Sequence, residues 1–308
     1  MKKICRFLLI SFILILTACT PMIPTPTALP QPTTLVQLTA IVEPSQTVVA
    51  PGLDADALMN SVYYAPKLQK SVQLTNGNYE GTDSTGTYSV ALQPQLAFGD
   101  LNGDGIEDAA VFLAESSGGT GVFVSLVVVA SNRDQFYQAG DRYLDDRPII
   151  NSVAIENGKI IVNAVIHSVG DALVAPSFAV EQTYRLLIET VTLTAQSSMS
   201  ATGKARSINI DFPADGSEVQ TTVQIGGSMP IGPFENNLSF KVLDLSGAEL
   251  FNSGFMVSAT DMGAPAIFNN LVTLPVFPPG SVVRLELSEL SMADGSLMTL
   301  NSVVVKIK

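Results

Sequence analysis

Tryptophan is absent from the 308 residues, histidine occurs once and cysteine twice. One histidine without a nearby thiol cannot build a zinc site of the usual nitrogen and sulfur kind. Both cysteines, Cys5 and Cys19, lie at the front, so the rest of the chain must fold on apolar packing without disulfides. Positive charge is also scarce: 16 Lys and Arg stand against 28 Asp and Glu, a formal charge of −12. Such a surface repels phosphate backbones and anionic headgroups, and no basic stripe offsets it, which argues against nucleic-acid binding. Charged residues of either sign make up only 14%. Ser, Thr, Asn, Gln and Gly must therefore cover much of the surface, the composition of an extracellular, strand-rich protein. Beyond the front end no apolar run is long enough to span a bilayer. Val122–Ala130, the strongest, is interrupted by Ser125 and reads as a buried strand.

The front end is different. Lys2, Lys3 and Arg6 precede an apolar run from Phe7 to Leu16, closed by Thr17-Ala18-Cys19. The run is too short for an ordinary spanning helix and reads as a signal segment, residues 1–18. Leu16-Thr17-Ala18-Cys19 resembles the lipobox read by the lipoprotein signal peptidase. The resemblance implies cleavage before Cys19 and a diacylglycerol thioether on it, with acyl chains as the only membrane attachment and an extracytoplasmic location. Cleavage would remove three basic residues and move the charge from −12 to −15. Residues 19–51 then form a tether of Pro and Thr with Glu43 as its only charge. Proline blocks helix and central strand, and at about 3.1 Å per residue the tether would reach about 100 Å.

Residues 52–195 read as a β-rich (α+β) domain. Asp54 to Asn60 suits a short helix ending before Pro66. Ala109–Leu113 and Val122–Ala130 are continuous apolar runs and predict central strands. Asn76-Gly77 and Asn157-Gly158 predict tight hairpin turns, the second between Val153–Ile155 and Ile160–Val165. Residues 196–206, small and polar, predict a linker. Residues 207–308 hold seven strand-like segments: Ser207–Asp211, Val219–Gly226, Leu238–Asp244, Glu249–Val257, Ala266–Leu274, Val282–Leu290 and Leu297–Lys306. Seven short strands at this spacing predict an immunoglobulin-like β-sandwich, here with an aliphatic and phenylalanine core.

Ile208–Pro213, Gly227, Phe234–Asp244, Gly280–Leu287 and Asp294-Gly295-Ser296 resemble the immunoglobulin-like domain of bacterial spore germination. The resemblance covers roughly residues 207–308 and implies a structural or protein-binding role without catalysis. Leu74–Glu80, Phe98–Gly105, Ala109–Val111, Gly118–Val124, Leu144–Arg147 and Ile166-His167 resemble a domain recurring in envelope proteins of filamentous and photosynthetic bacteria. That domain carries no assigned activity. Its members often place a cysteine between the histidine and a proline; Ser168–Pro176 has none.

The sharpest motif is Asp100-Leu101-Asn102-Gly103-Asp104-Gly105-Ile106-Glu107-Asp108. Asp100, Asn102, Asp104 and Asp108 put side-chain oxygens at positions 1, 3, 5 and 9, with the Ile106 carbonyl at position 7. Calcium takes six to eight hard oxygens, and this spacing gathers them about one point. Position 12, a glutamate in an EF-hand, is Val111, so the loop instead resembles the strand-flanked calcium loops of extracellular repeat proteins. The other reading is an Asp/Asn/Gly turn closed by its own side-chain-to-backbone bonds. His167, near Asp171, has three readings: structural hydrogen bonding, ligand binding or a catalytic base. Asp145-Asp146 predicts at most a solvated pair, because adjacent residues do not face each other across a cleft. Gly118–Gly121 lacks the lysine and helix of a phosphate loop, and no Gly-x-Ser-x-Gly elbow occurs.

Together these features predict a lipid-anchored, non-enzymatic module that binds another envelope or surface protein, with structural Ca2+ at Asp100, Asn102, Asp104, Ile106 and Asp108 and no nucleic-acid partner. The alternatives are a solute- or polysaccharide-binding lipoprotein, favoured by a cleft lined by Tyr63, Tyr64, Tyr88, Tyr137 and Tyr143, and a hydrolase using the His167 region.

Overall fold

Asp54 opens the first element by accepting a hydrogen bond from Ala57 N at 2.8 Å, and helix α1 (Ala55–Met59) follows with Leu58 buried. This computed structural model describes residues 52–308 other than Thr85, Arg133 and Ala201; the signal segment, Cys19 and the tether lie outside the described residues. Tyr63 donates to the Leu58 carbonyl at 3.0 Å, tying the end of α1 to β1 (Val62–Ala65), which pairs with β2 (Lys70–Gln73).

A five-stranded antiparallel sheet comes next, in chain order: β3 (Asn78–Asp83), β4 (Gly86–Gly99), β5 (Asp108–Ser116), β6 (Phe123–Ser131) and β7 (Phe136–Asp146). Asn76 and Gly77 have φ of 50° and 78°, as the predicted tight turn demands, and Thr75 and Asn78 exchange backbone bonds across it. Beyond that bridge the two arms part: β2 pairs with β1, and β3 with β4. The four strands β8 (Ile149–Glu156), β9 (Lys159–Ile166), β10 (Phe178–Leu187) and β11 (Thr190–Met199) form an antiparallel meander. Asn157 and Gly158, φ 52° and 71°, make the β8–β9 turn as expected.

Why β5 and β6 are apolar without alternation is now clear: they are the middle of three layers. Ala110, Phe112, Leu126 and Val128 face Ile160, Val162 and Tyr184 of the meander. Their neighbours Ala109, Val111, Leu113, Val127 and Val129 face Leu58, Tyr63 and Leu74.

The C-terminal half contains β12 (Ala205–Arg206), β13 (Asn209–Phe212), β14 (Glu218–Val219), β15 (Thr222–Met229), β16 (Asn237–Leu243), β17 (Glu249–Met256), β18 (Ser258–Ala259), β19 (Ala266–Thr273), β20 (Val282–Leu290) and β21 (Leu297–Ile307). One sheet runs β13-β15-β19-β18 and the facing one β17-β16-β20-β21, with β14 parallel to β21. Ile225, Met229, Phe240, Phe255, Phe268, Leu285 and Val305 interlock between them. The aliphatic and phenylalanine core expected from the sequence is present. Each of the seven predicted segments overlaps a strand, but the described residues from 207 on hold nine strands, not seven. Val219–Gly226, however, divides: β14 joins β21, and after two residues β15 crosses to the opposite sheet.

The predicted linker needs correction. Residues 196–199 are the end of β11, and Ala205–Arg206 returns to pair with it, Ser200 N donating to Lys204 O at 2.9 Å. β11 also pairs with β21 through Ala195 with Asn301 and Gln196 with Leu300. The meander and the second sandwich sheet thereby share one ten-stranded sheet, β12 and β14 included. Two register pairs would hold little. Side chains complete the seam: Gln196 Nε2 donates to Leu297 O, Ser198 Oγ to Met298 O, Thr299 Oγ1 to Gln196 O and Ser302 Oγ to Thr194 O, all at 2.7–3.0 Å. Small polar residues that read as a linker are instead donors to backbone carbonyls in a buried joint.

Candidate functional sites

The Asp100–Asp108 loop joins β4 to β5. Gly103 and Gly105 take φ of 81° and 79°, a conformation that L side chains resist. Asp100 accepts from Gly103 N at 2.7 Å and Gly105 N at 2.9 Å; Asn102 accepts from Asp104 N at 2.9 Å; Asp104 accepts from Ile106 N at 2.8 Å. Asp108 is fully buried, one oxygen accepting from Leu101 N at 2.9 Å and the other from Ser131 N at 2.8 Å. It pins the loop to the end of β6. Burial pushes its carboxyl up, the two amides pull it down, and the charges of Asp104 and Asp100 push it up again.

Each carboxylate or amide oxygen has two lone pairs, so a bond from one amide leaves capacity for a cation. The donor set is the hard-oxygen kind that calcium takes. Among the described residues no group of three or more His, Cys, Asp or Glu is drawn together as a metal cluster; in this loop Asn102 and the Ile106 carbonyl would have to complete the set. Ile106 packs its side chain on the Leu58 core, which leaves its carbonyl to the loop.

The two stretches Leu144–Arg147 and Ile166-His167 meet. His167 Nδ1 lies 2.8 Å from Asp145 Oδ2, and Nε2 lies 3.2 Å from the Ala172 carbonyl. Both partners are acceptors, so the charged imidazolium, with a donor on each nitrogen, satisfies them best. The hydrogen bond that His167 donates to Asp145 raises its pKa, against a smaller opposing effect of burial. A catalytic base needs a free lone pair toward substrate, and here Nε2 is turned to a backbone carbonyl. Asp171 binds Ser168 N, Ser177 N and Ser177 Oγ, closing the loop that follows; these bonds, Ser168 first, hold its carboxyl below the usual range.

Asp146 turns the other way, accepting from Val122 N at 2.8 Å and pairing with Arg147 at 2.7 Å, while Arg147 reaches Thr120 O. Asp145 and Asp146 therefore serve different partners, and neither is the solvated side chain expected from the sequence: they are 18% and 15% exposed. The five tyrosines do not line one cleft. Tyr63 is buried and shares a cavity of about 160 Å³ with Tyr137; Tyr88 packs on Tyr79 beneath Lys70; Tyr143 packs on Phe123.

Three groups of polar residues were not foreseen. Glu115 is buried beside the Leu58 core, accepts from Leu68 N at 2.9 Å and has its carboxyl raised by burial. Arg284 and Glu286 form a buried pair at 2.6 Å, and Arg284 also donates to Leu193 O across the seam. Arg206 and Glu289 pair at one end of the C-terminal sandwich. A visible signal exists only for Glu115, a carboxylate ending the apolar run Ala109–Ala114.

Residues 207–296, less than a third of the chain, match the immunoglobulin-like domain of bacterial spore germination, and the paired sheets of this region agree with it. No curated protein matches the chain.

Proposed function

We propose that this chain is a lipid-anchored extracytoplasmic module that binds another envelope or surface protein and catalyses no reaction, with structural calcium in the Asp100–Asp108 loop. The observation that carries the reading is the ten-stranded sheet shared by the meander and the C-terminal sandwich, which offers a partner a broad surface and the loops at its ends. The immunoglobulin-like likeness of residues 207–296 supports it. The engagement of both His167 ring nitrogens argues against the hydrolase alternative.

Formaldehyde cross-linking of intact cells, followed by mass spectrometry of the captured chain, tests the binding role. A discrete cross-linked neighbour is expected, and its absence at every cross-linker dose would overturn the reading. Palmitate labelling lost in Cys19→Ala tests the anchor. Calcium is tested by melting: saturation at about 100 times Kd should stabilise the fold by about 2.7 kcal/mol, and an Asp100→Ala/Asp104→Ala variant should lose the shift.

A further inference from the structure

The end of the C-terminal sandwich where β15 turns into β16, β18 into β19 and β20 into β21 carries two neighbouring cavities, of about 370 and 280 Å³, and a third, of about 500 Å³, adjoins them along β16, β17 and the end of β20. Phe234 and Met262 belong to the walls of the first two, and Leu290 and Met292 to those of the second and third, so they form one bent trough. Met262 and Met292 are 79% and 72% exposed, and Met298 lines the central cavity beside them. Unbranched thioether side chains at a surface adapt to different partner shapes, and clustered exposed apolar residues mark interaction sites.

The central cavity also holds an ion pair, Arg206 with Glu289. Strand alternation puts Glu289 in the inward series of Val283, Leu285 and Leu287, so a carboxylate stands at the mouth of an apolar core. Glu289 is 6% exposed. Its Oε1 pairs with Arg206, and its Oε2 accepts no hydrogen bond from the described residues. A buried carboxylate oxygen without a donor costs free energy that a bound donor returns. Glu235 and Asp261 line the first cavity, and Lys241 in the outer cavity is already paired with Glu249 at 2.8 Å. The trough is thus long, methionine-lined and negative.

We propose that it binds an extended segment of another exported protein, and that a lysine or arginine of that segment enters the central cavity. The aliphatic stem would lie against Met262, Met292 and Met298, with the charge at Glu289 Oε2. The chain's own residues 19–51 contain neither lysine nor arginine and lack the required group. This inference rests on the protein-binding reading and names its surface and partner chemistry.

The test uses the full chain in zwitterionic lipid nanodiscs with methyl-labelled methionine, titrated with acetyl-Ala-Leu-Lys-Leu-Ala-amide. The methyl signals of Met262, Met292 and Met298 should shift before those of the other methionines. Replacing the lysine of the peptide by norleucine or Nε-acetyl-lysine should weaken binding at least tenfold, as should Glu289→Gln. Because Glu289 also holds Arg206, Met292→Ser on the exposed lip is the second variant and should weaken binding at least threefold with the melting temperature unchanged. Equal affinity for the three peptides, or no methyl shift at millimolar peptide, would overturn the proposal. So would shifts that follow protein concentration alone, which would assign the trough to a second copy. A cellular cross-link that persists in both variants would remove the trough while leaving the protein-binding reading in place.

Discussion

Strands β5 and β20 are each nine residues long and each buried on both faces, yet their sequences look unlike. β5 is apolar on both sides from Ala109 to Ala114. β20 alternates Val283, Leu285 and Leu287 with Arg284, Glu286 and Ser288. Alternation ordinarily marks one wet face. In β20 the polar face instead meets the seam, where Arg284 reaches Glu286, Ser302 and the Leu193 carbonyl. A buried surface can thus be built from apolar packing or from polar groups that pair with one another, and only the first is recognisable from hydropathy. The second has a function of its own: its hydrogen bonds accept one geometry, which fixes how the halves of the ten-stranded sheet are set.

Changes at four places would break or sharpen this comparison. The largest effect belongs to β5. Val111→Asp puts a carboxylate without a partner between two apolar layers and should cost roughly 4 kcal/mol or more, unfolding the chain in circular dichroism. A folded, cooperative variant would show that the layer over Val111 admits water. Next comes β20, where Arg284→Met leaves Glu286 buried alone, at a cost of about 3–5 kcal/mol in urea titration. The double change Arg284→Met/Glu286→Leu should recover most of that loss, because a packed apolar pair tolerates the same space.

A smaller effect is expected at the joint itself. Gln196→Leu removes the donor to Leu297 O and the acceptor for Gln182, so it should cost about 1–3 kcal/mol. The parent should melt in one calorimetric transition and the variant in two; a parent that already melts in two would show that the seam does not couple the halves. The smallest effect concerns pH. Asp145 raises the His167 pKa in the folded chain, so the stabilisation is complete below the ordinary histidine pKa and is lost as pH rises through the raised value. Amide exchange of residues 168–177 should be slower at pH 5.5 than at pH 8.5 after correction for intrinsic rates, and His167→Ala should erase the difference.

Much of this was legible along the chain because it is local. The two Asn-Gly turns need positive φ, the β5 and β6 runs exceed what a one-sided strand would carry, and the seven segments of the C-terminal half are separated by turn residues. The Asp100–Asp108 loop was also legible, since Gly103 and Gly105 announce its backbone and Asp108 its closure. The pairing of His167 with Asp145 was not, because 22 residues and two strands separate them. Nor was the joint: Gln196, Ser198 and Thr299 have the composition of a linker or a wet strand face until another backbone supplies their acceptors.

By itself the sequence determined the elements, the turns, the apolar layers and the immunoglobulin-like character of residues 207–296, since each follows from periodicity and backbone preference over a few residues. Tertiary structure alone decided that β11 meets β21, that a polar strand face is buried, that His167 faces two acceptors, and that Glu289 stands in a methionine-lined trough. Hydrogen bonds and ion pairs depend on distances between residues far apart in the chain, and those distances exist only once the sheets are assembled.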